Sequence, residues 1–150
     1  MLEYEIAAIY YFIAGTIKAT PYFKEVPKDF MVPCVFYPTP EQTGGVFSVS
    51  KYKTDFVMYI KFMAKDTLEA YSMASKVLQE LMKNKRKVPL VDETGKKTGK
   101  NFQINNPVAR KVDTGVYQME VSWKRYTSYN ANVVTKAQEF FFNGTPVSEK

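Results

Sequence analysis

The sequence contains no histidine. That excludes Ser-His-Asp and Cys-His nucleophile systems, histidine metal sites and histidine pH switches together. It has one cysteine, Cys34, so neither an intrachain disulfide nor a cysteine-rich metal site can form. Val32, Val35 and Phe36 flank that cysteine, which predicts a buried and inert thiol. No apolar run reaches the roughly 20 residues that a membrane span needs. The longest, Ile6 to Ala14, is preceded by acidic Glu3 and Glu5 and lacks a signal-peptide cleavage pattern, so no membrane partner is expected. GGVF and TGKKTGK lack the spacing of a phosphate loop, and there is no repeat or low-complexity tract.

What is present is lysine, aromatics and clear periodicity. Asp66 to Lys83 places Ala70, Tyr71, Ala74, Val77, Leu78, Leu81 and Met82 at helical spacing. Asp66 and Glu69 have the arrangement of a capping box, with Glu69 reaching back to the cap amide. Leu2 to Ala19 reads as a first helix, with Ile6, Ile9, Tyr10, Ile13 and Ile17 on one face. It is apolar on more than one face, which predicts packing on a sheet and on a neighbouring subunit.

The chain between and after these helices reads as strands. Thr20 to Pro33 is a proline-containing connector, Met31 to Tyr37 a short strand and Pro38 to Gly45 a loop. Val46 to Tyr52 and Asp55 to Met63 read as a strand pair, the second with Phe56, Met58, Ile60 and Phe62 on its core face. Val88 to Asp92, a flexible turn at Glu93 to Lys100 and Phe102 to Asn105 form a hairpin. Val108 to Val112 is extended. Val116 to Tyr126 alternates Tyr117, Met119, Val121 and Trp123 with polar residues, the period of a strand. The expected fold is α+β: a mostly antiparallel sheet of about four to six strands, two helices packed on it and a protruding β-hairpin. One domain is expected over residues 1–129, followed by a C-terminal tail at 130–150.

Catalytic chemistry finds no support. Asp66 and Glu69 are explained by capping, and Asp92 and Glu93 have no partner base or ligand set. No enzymatic activity, catalytic residue, cofactor or metal is expected. The formal charge of +6 attracts polyanions weakly. Lys83, Lys85, Arg86 and Lys87, with Lys96, Lys97 and Lys100, read either as a phosphate-facing surface or as a solvated hairpin beside a helix C-terminus. The two clusters lie near each other if the strand between them is short. Aromatics exceed what one small core hides, which marks Tyr11, Phe12, Phe140, Phe141 and Phe142 as interface candidates.

The segments VPKDFMVPCVFY, TDFVMYIKF, DTLEAYSMASKVLQELM and TGVYQMEVSWKRYTSY, in this element order, resemble the tail terminator proteins of long-tailed phages and prophages. These are also called tail completion or head–tail joining proteins. The resemblance runs from about Leu2 to Tyr129; the Phe-rich end has no counterpart in it. It implies a small α+β fold and a homo-oligomeric ring, commonly a hexamer. That ring caps the tail tube and joins it to the head, with double-stranded DNA passing through its channel. Implied partners are the major tail tube protein and a head-completion or neck protein. The implied location is the virion at the head–tail interface, and the host cytoplasm during assembly. The alternatives are a nucleic-acid-binding module and another neck or minor capsid component.

Overall fold

The computed structural model describes residues 4–129. These residues fall into two compact units, one formed by 4–41 and 56–123, the other by 42–55 and 124–129. The expected helical position of Leu2 and the tail with Phe140 to Phe142 lie outside the described residues.

The order is α1 (Tyr4–Thr16), β1 (Thr20–Tyr22), β2 (Cys34–Phe36), β3 (Glu41–Val46), β4 (Lys51–Met63), α2 (Thr67–Lys83), β5 (Lys87–Val91), β6 (Lys97–Gln103), β7 (Val108–Asp113) and β8 (Val116–Ser128). The class is α+β, as expected. In the first unit the strands run β1-β2-β4-β8-β7. The β2/β4 and β7/β8 pairs are antiparallel, β1/β2 is parallel, and β5 and β6 form a separate antiparallel ribbon.

The core of the first unit follows directly from the strand period. Phe56, Met58, Ile60 and Phe62 of β4 and Met119, Val121 and Trp123 of β8 are buried. Ile6, Ile9 and Ile13 of α1 and Ala70, Met73, Ala74, Val77 and Leu81 of α2 complete the same cluster. Each large side chain removed from water contributes about 1.5–3 kcal/mol. Trp123 stacks on Phe56 at 5.2 Å between centroids, while its buried indole N–H has no acceptor among the described residues. On α2, Met73 is buried, whereas Tyr71 and Met82 from the expected stripe are exposed.

The caps show why α2 starts and stops where it does. Asp66 Oδ1 accepts the Glu69 amide at 2.8 Å. Glu69 Oε1 reaches the amide of Lys65 at 3.4 Å, one residue before the amide a capping box would use. At the C-terminus Arg86 N–H donates to Leu81 O and Lys85 N–H to Met82 O. Those two bonds are a Schellman closure, and it places Lys85 at φ 57° and Arg86 at φ 63°.

Several expected boundaries move. Thr20 to Tyr22 is a strand within the expected connector, because Pro21 tolerates a sheet edge and its neighbours supply the hydrogen bonds. Thr20 N–H donates to Pro33 O and Tyr37 N–H to Tyr22 O. β3 occupies most of the expected loop Pro38 to Gly45. The chain turns at Phe47 to Ser50, inside the expected strand Val46 to Tyr52. The Ser48 hydroxyl accepts the amides of Ser50 and Lys51, and Ser48 N–H donates to Lys51 O. β6 begins at Lys97, within the expected turn, because Asp92 to Lys96 already reverse the chain.

Candidate functional site

The two basic clusters are separated by the length of β5. Lys87 pairs with Gln103 at one end of the β5/β6 ribbon and Val91 pairs with Lys97 at the other. Four residues of strand set Lys97 about 14 Å along the ribbon from Lys87. Pro89 pairs with Asn101, so Lys100 lies nearer to Lys87 than Lys97 does.

The seven cations also have different surroundings. Arg86 is half-buried and structural: its Nη1 donates to Ile104 O at 2.8 Å, while Ile104 N–H donates to Arg86 O. Lys83, Lys85, Lys87, Lys96, Lys97 and Lys100 are exposed. Lys83 borders a groove beside Leu68 and Tyr71 on α2. Lys97 lines a groove against α1 with Tyr11 and Gly15, and Lys100 lines another with Tyr4 and Leu90. Asp92 and Glu93 interrupt the positive charge between the clusters. Hydrogen bonds from the Thr94 hydroxyl and the Lys96, Thr94 and Gly95 amides hold the Asp92 carboxyl below its usual range.

The two aromatic candidates of α1 differ in exposure: Tyr11 faces water and Phe12 does not. Phe12 lies half-buried against the core. Tyr11 covers the tip of the β5/β6 ribbon so closely that a Cβ on Gly95 would fall 2.8 Å from its ring. The ribbon thus lies along α1, while Tyr4 and Tyr11 of that helix stay 68% and 43% exposed.

The second unit carries a surface that the sequence reading did not single out. β3 pairs with β4 there, and Tyr129 N–H donates to Ser50 O. None of its described residues is buried. Val46 is 83% exposed, Phe47 56%, Tyr126 48%, and Val49 fully. Phe47 and Tyr126 meet at 4.5 Å between centroids, and Tyr52 and Tyr129 at 5.5 Å. The same ribbon bears Lys51, Lys53, Lys124 and Arg125 against Asp55, which pairs with Lys53 at 3.6 Å. The signal that could have found it is SVSK: serines on both sides of a lone valine are turn chemistry, and a turn there forces Phe47 and Val49 outward.

No known family profile matches the sequence. The chain is 24% identical over 139 residues to the phage-like element PBSX protein XkdJ of Bacillus subtilis (strain 168), covering 93% of this chain and 95% of that protein. It is 24% identical over 112 residues to the uncharacterized protein YqbJ of the same organism, covering 75% and 77%. Among solved structures, a chain from the virion of a native gene transfer agent (GTA) particle aligns loosely. Its TM-score is 0.46 at 14% identity, over 82% of this chain and 93% of that one.

Among the described residues no group of three acidic or cysteine side chains could hold a metal ion. No described helix is long and apolar enough to cross a membrane.

Proposed function

We propose that this chain is a structural virion protein of the tail terminator type. It assembles into a ring, a hexamer on the implied family pattern, that closes the tail tube and joins it to the head. Its partners are further copies of itself, the major tail tube protein and a head-completion or neck protein. Double-stranded DNA passes through the channel without sequence readout. The role is one of assembly, and no chemical step is assigned to any residue.

The observation that carries this reading is the second unit. A hairpin that exposes Phe47 and Val49 in its turn and Tyr126 on β8, without a buried residue among its described ones, gains little from folding alone. Such aromatic, water-facing surface is characteristic of a partner contact. Similarity to a phage-like element protein along nearly the whole chain supports a virion context for that contact.

The test is electron microscopy of particles made with and without the gene. Without a cap, tube growth has no stop and no adaptor. The expected result is tails of uneven length, separate from full heads, with normal joining restored by the gene in trans. Normal joined particles in its absence would remove the reading.

A further inference from the structure

Two surfaces of this chain are opposite in charge and both carry exposed aromatics, and they lie in different units. The first is an open groove of about 680 Å³ between the start of α1 and the outer side of the β5/β6 ribbon. Tyr4 and Leu90 give it apolar surface, and Tyr4 is 68% exposed. Its carboxylates are Glu5, Asp92 and Glu93, against the single lining cation Lys100; Lys96 stands in the same turn. The second is the basic, aromatic ribbon of the second unit, with Phe47, Tyr126, Lys51 and Lys124 all exposed.

We infer that the ribbon of one copy docks in the groove of the next copy. Phe47 and Tyr126 cover Tyr4 and Leu90, and Lys51 and Lys124 approach Asp92 and Glu93. The occupant is a second copy of this chain because the chain supplies both halves of the match: among the described residues the ribbon has four cations to one carboxylate, and the groove lining has three carboxylates to one cation. Two different patches meeting head to tail form a heterologous contact, which generates a ring when its rotation closes. This deepens the ring reading and rests on it, yet the two can fail separately, because a ring could close through other surfaces.

The test uses the full chain and two variants. K51A/K124A disables the ribbon and leaves the groove; E93K disables the groove and leaves the ribbon, and the neutral ribbon gains no attraction to the new lysine. All three positions are exposed, so circular dichroism and thermal unfolding serve as folding controls. Sedimentation velocity is expected to show wild-type oligomers, and each variant alone is expected to self-associate on the order of tenfold more weakly or worse. The mixture is decisive. An intact ribbon on one variant and an intact groove on the other allow one contact per pair, so the mixture should stop at dimers. Unchanged association of either variant, a mixture that stays monomeric, or a wild-type chain that is monomeric at every concentration overturns the inference. The ribbon would then belong to residues 130–150 of its own chain or to a tube subunit. The particle-joining result above decides the ring reading independently.

Discussion

Cys34 has no exposed surface in β2, and burial pushes its thiol up. Only the thiolate reacts at an appreciable rate, so two barriers protect it: lack of access and lack of ionisation. A disulfide reagent at neutral pH is expected to leave the native protein unmodified and to label one thiol per chain after denaturation. Rapid labelling of the native chain would contradict this packing. The burial was legible from Val32, Val35 and Phe36 around the cysteine. Arg86 is the opposite case. In sequence it is one cation in KNKRK, indistinguishable from its neighbours. Only the Schellman turn and the Ile104 carbonyl, 18 residues away, show that it serves the fold.

At the scale of elements, the turn between β7 and β8 docks beneath the start of α2. Gly115 N–H donates to Thr67 Oγ1 at 2.9 Å, and Gly115 O accepts the Ala64 amide at 3.0 Å. Gly115 has φ 72°, and a Cβ there would fall 2.8 Å from Ala64 O. Gly115→Ala therefore combines an unfavourable backbone with a backbone clash, and is expected to cost about 1–3 kcal/mol in urea unfolding. A loss within a few tenths of a kcal/mol would show that the turn is free to shift. Element periodicity was readable wherever one face is buried: α2, the inner half of β4, and β8 up to Trp123. It was not readable at β1, three residues long with a proline, or at β3, whose EQTGGV has the composition of a turn. Their pairing comes from neighbouring strands, which local sequence does not encode. A hairpin was expected and found at β5/β6, but its resting place along α1 depends on the contact between Tyr11 and Gly95, far apart in the chain.

At the scale of the molecule, stability and assembly are assigned to different residues. The helices and the inner halves of β4 and β8 form one buried cluster, while the ribbon at 42–55 and 124–129 contributes nothing to it. The α+β class followed from the order and period of the elements. The ribbon's exposure did not, because the same Val-Phe-Tyr composition would read as core if the turn fell two residues elsewhere. The spacing of the basic residues was likewise open in sequence, and the register of β5 with β6 sets Lys97 opposite Val91, at the far end of the ribbon from Lys87. The proposed assembly surface is one that only folding in three dimensions exposes.

The division between core and ribbon can be tested in one comparison. Phe47→Ser with Tyr126→Ser removes the exposed aromatic pair, and Phe56→Ala removes a buried ring stacked on Trp123. Measuring urea unfolding and sedimentation on the same preparations tests the central claim most directly. The ribbon variant should unfold within about 1 kcal/mol of wild type and lose its self-association, whereas Phe56→Ala should cost about 3–5 kcal/mol. A ribbon variant that assembles normally, or one that loses as much stability as Phe56→Ala, would contradict the account.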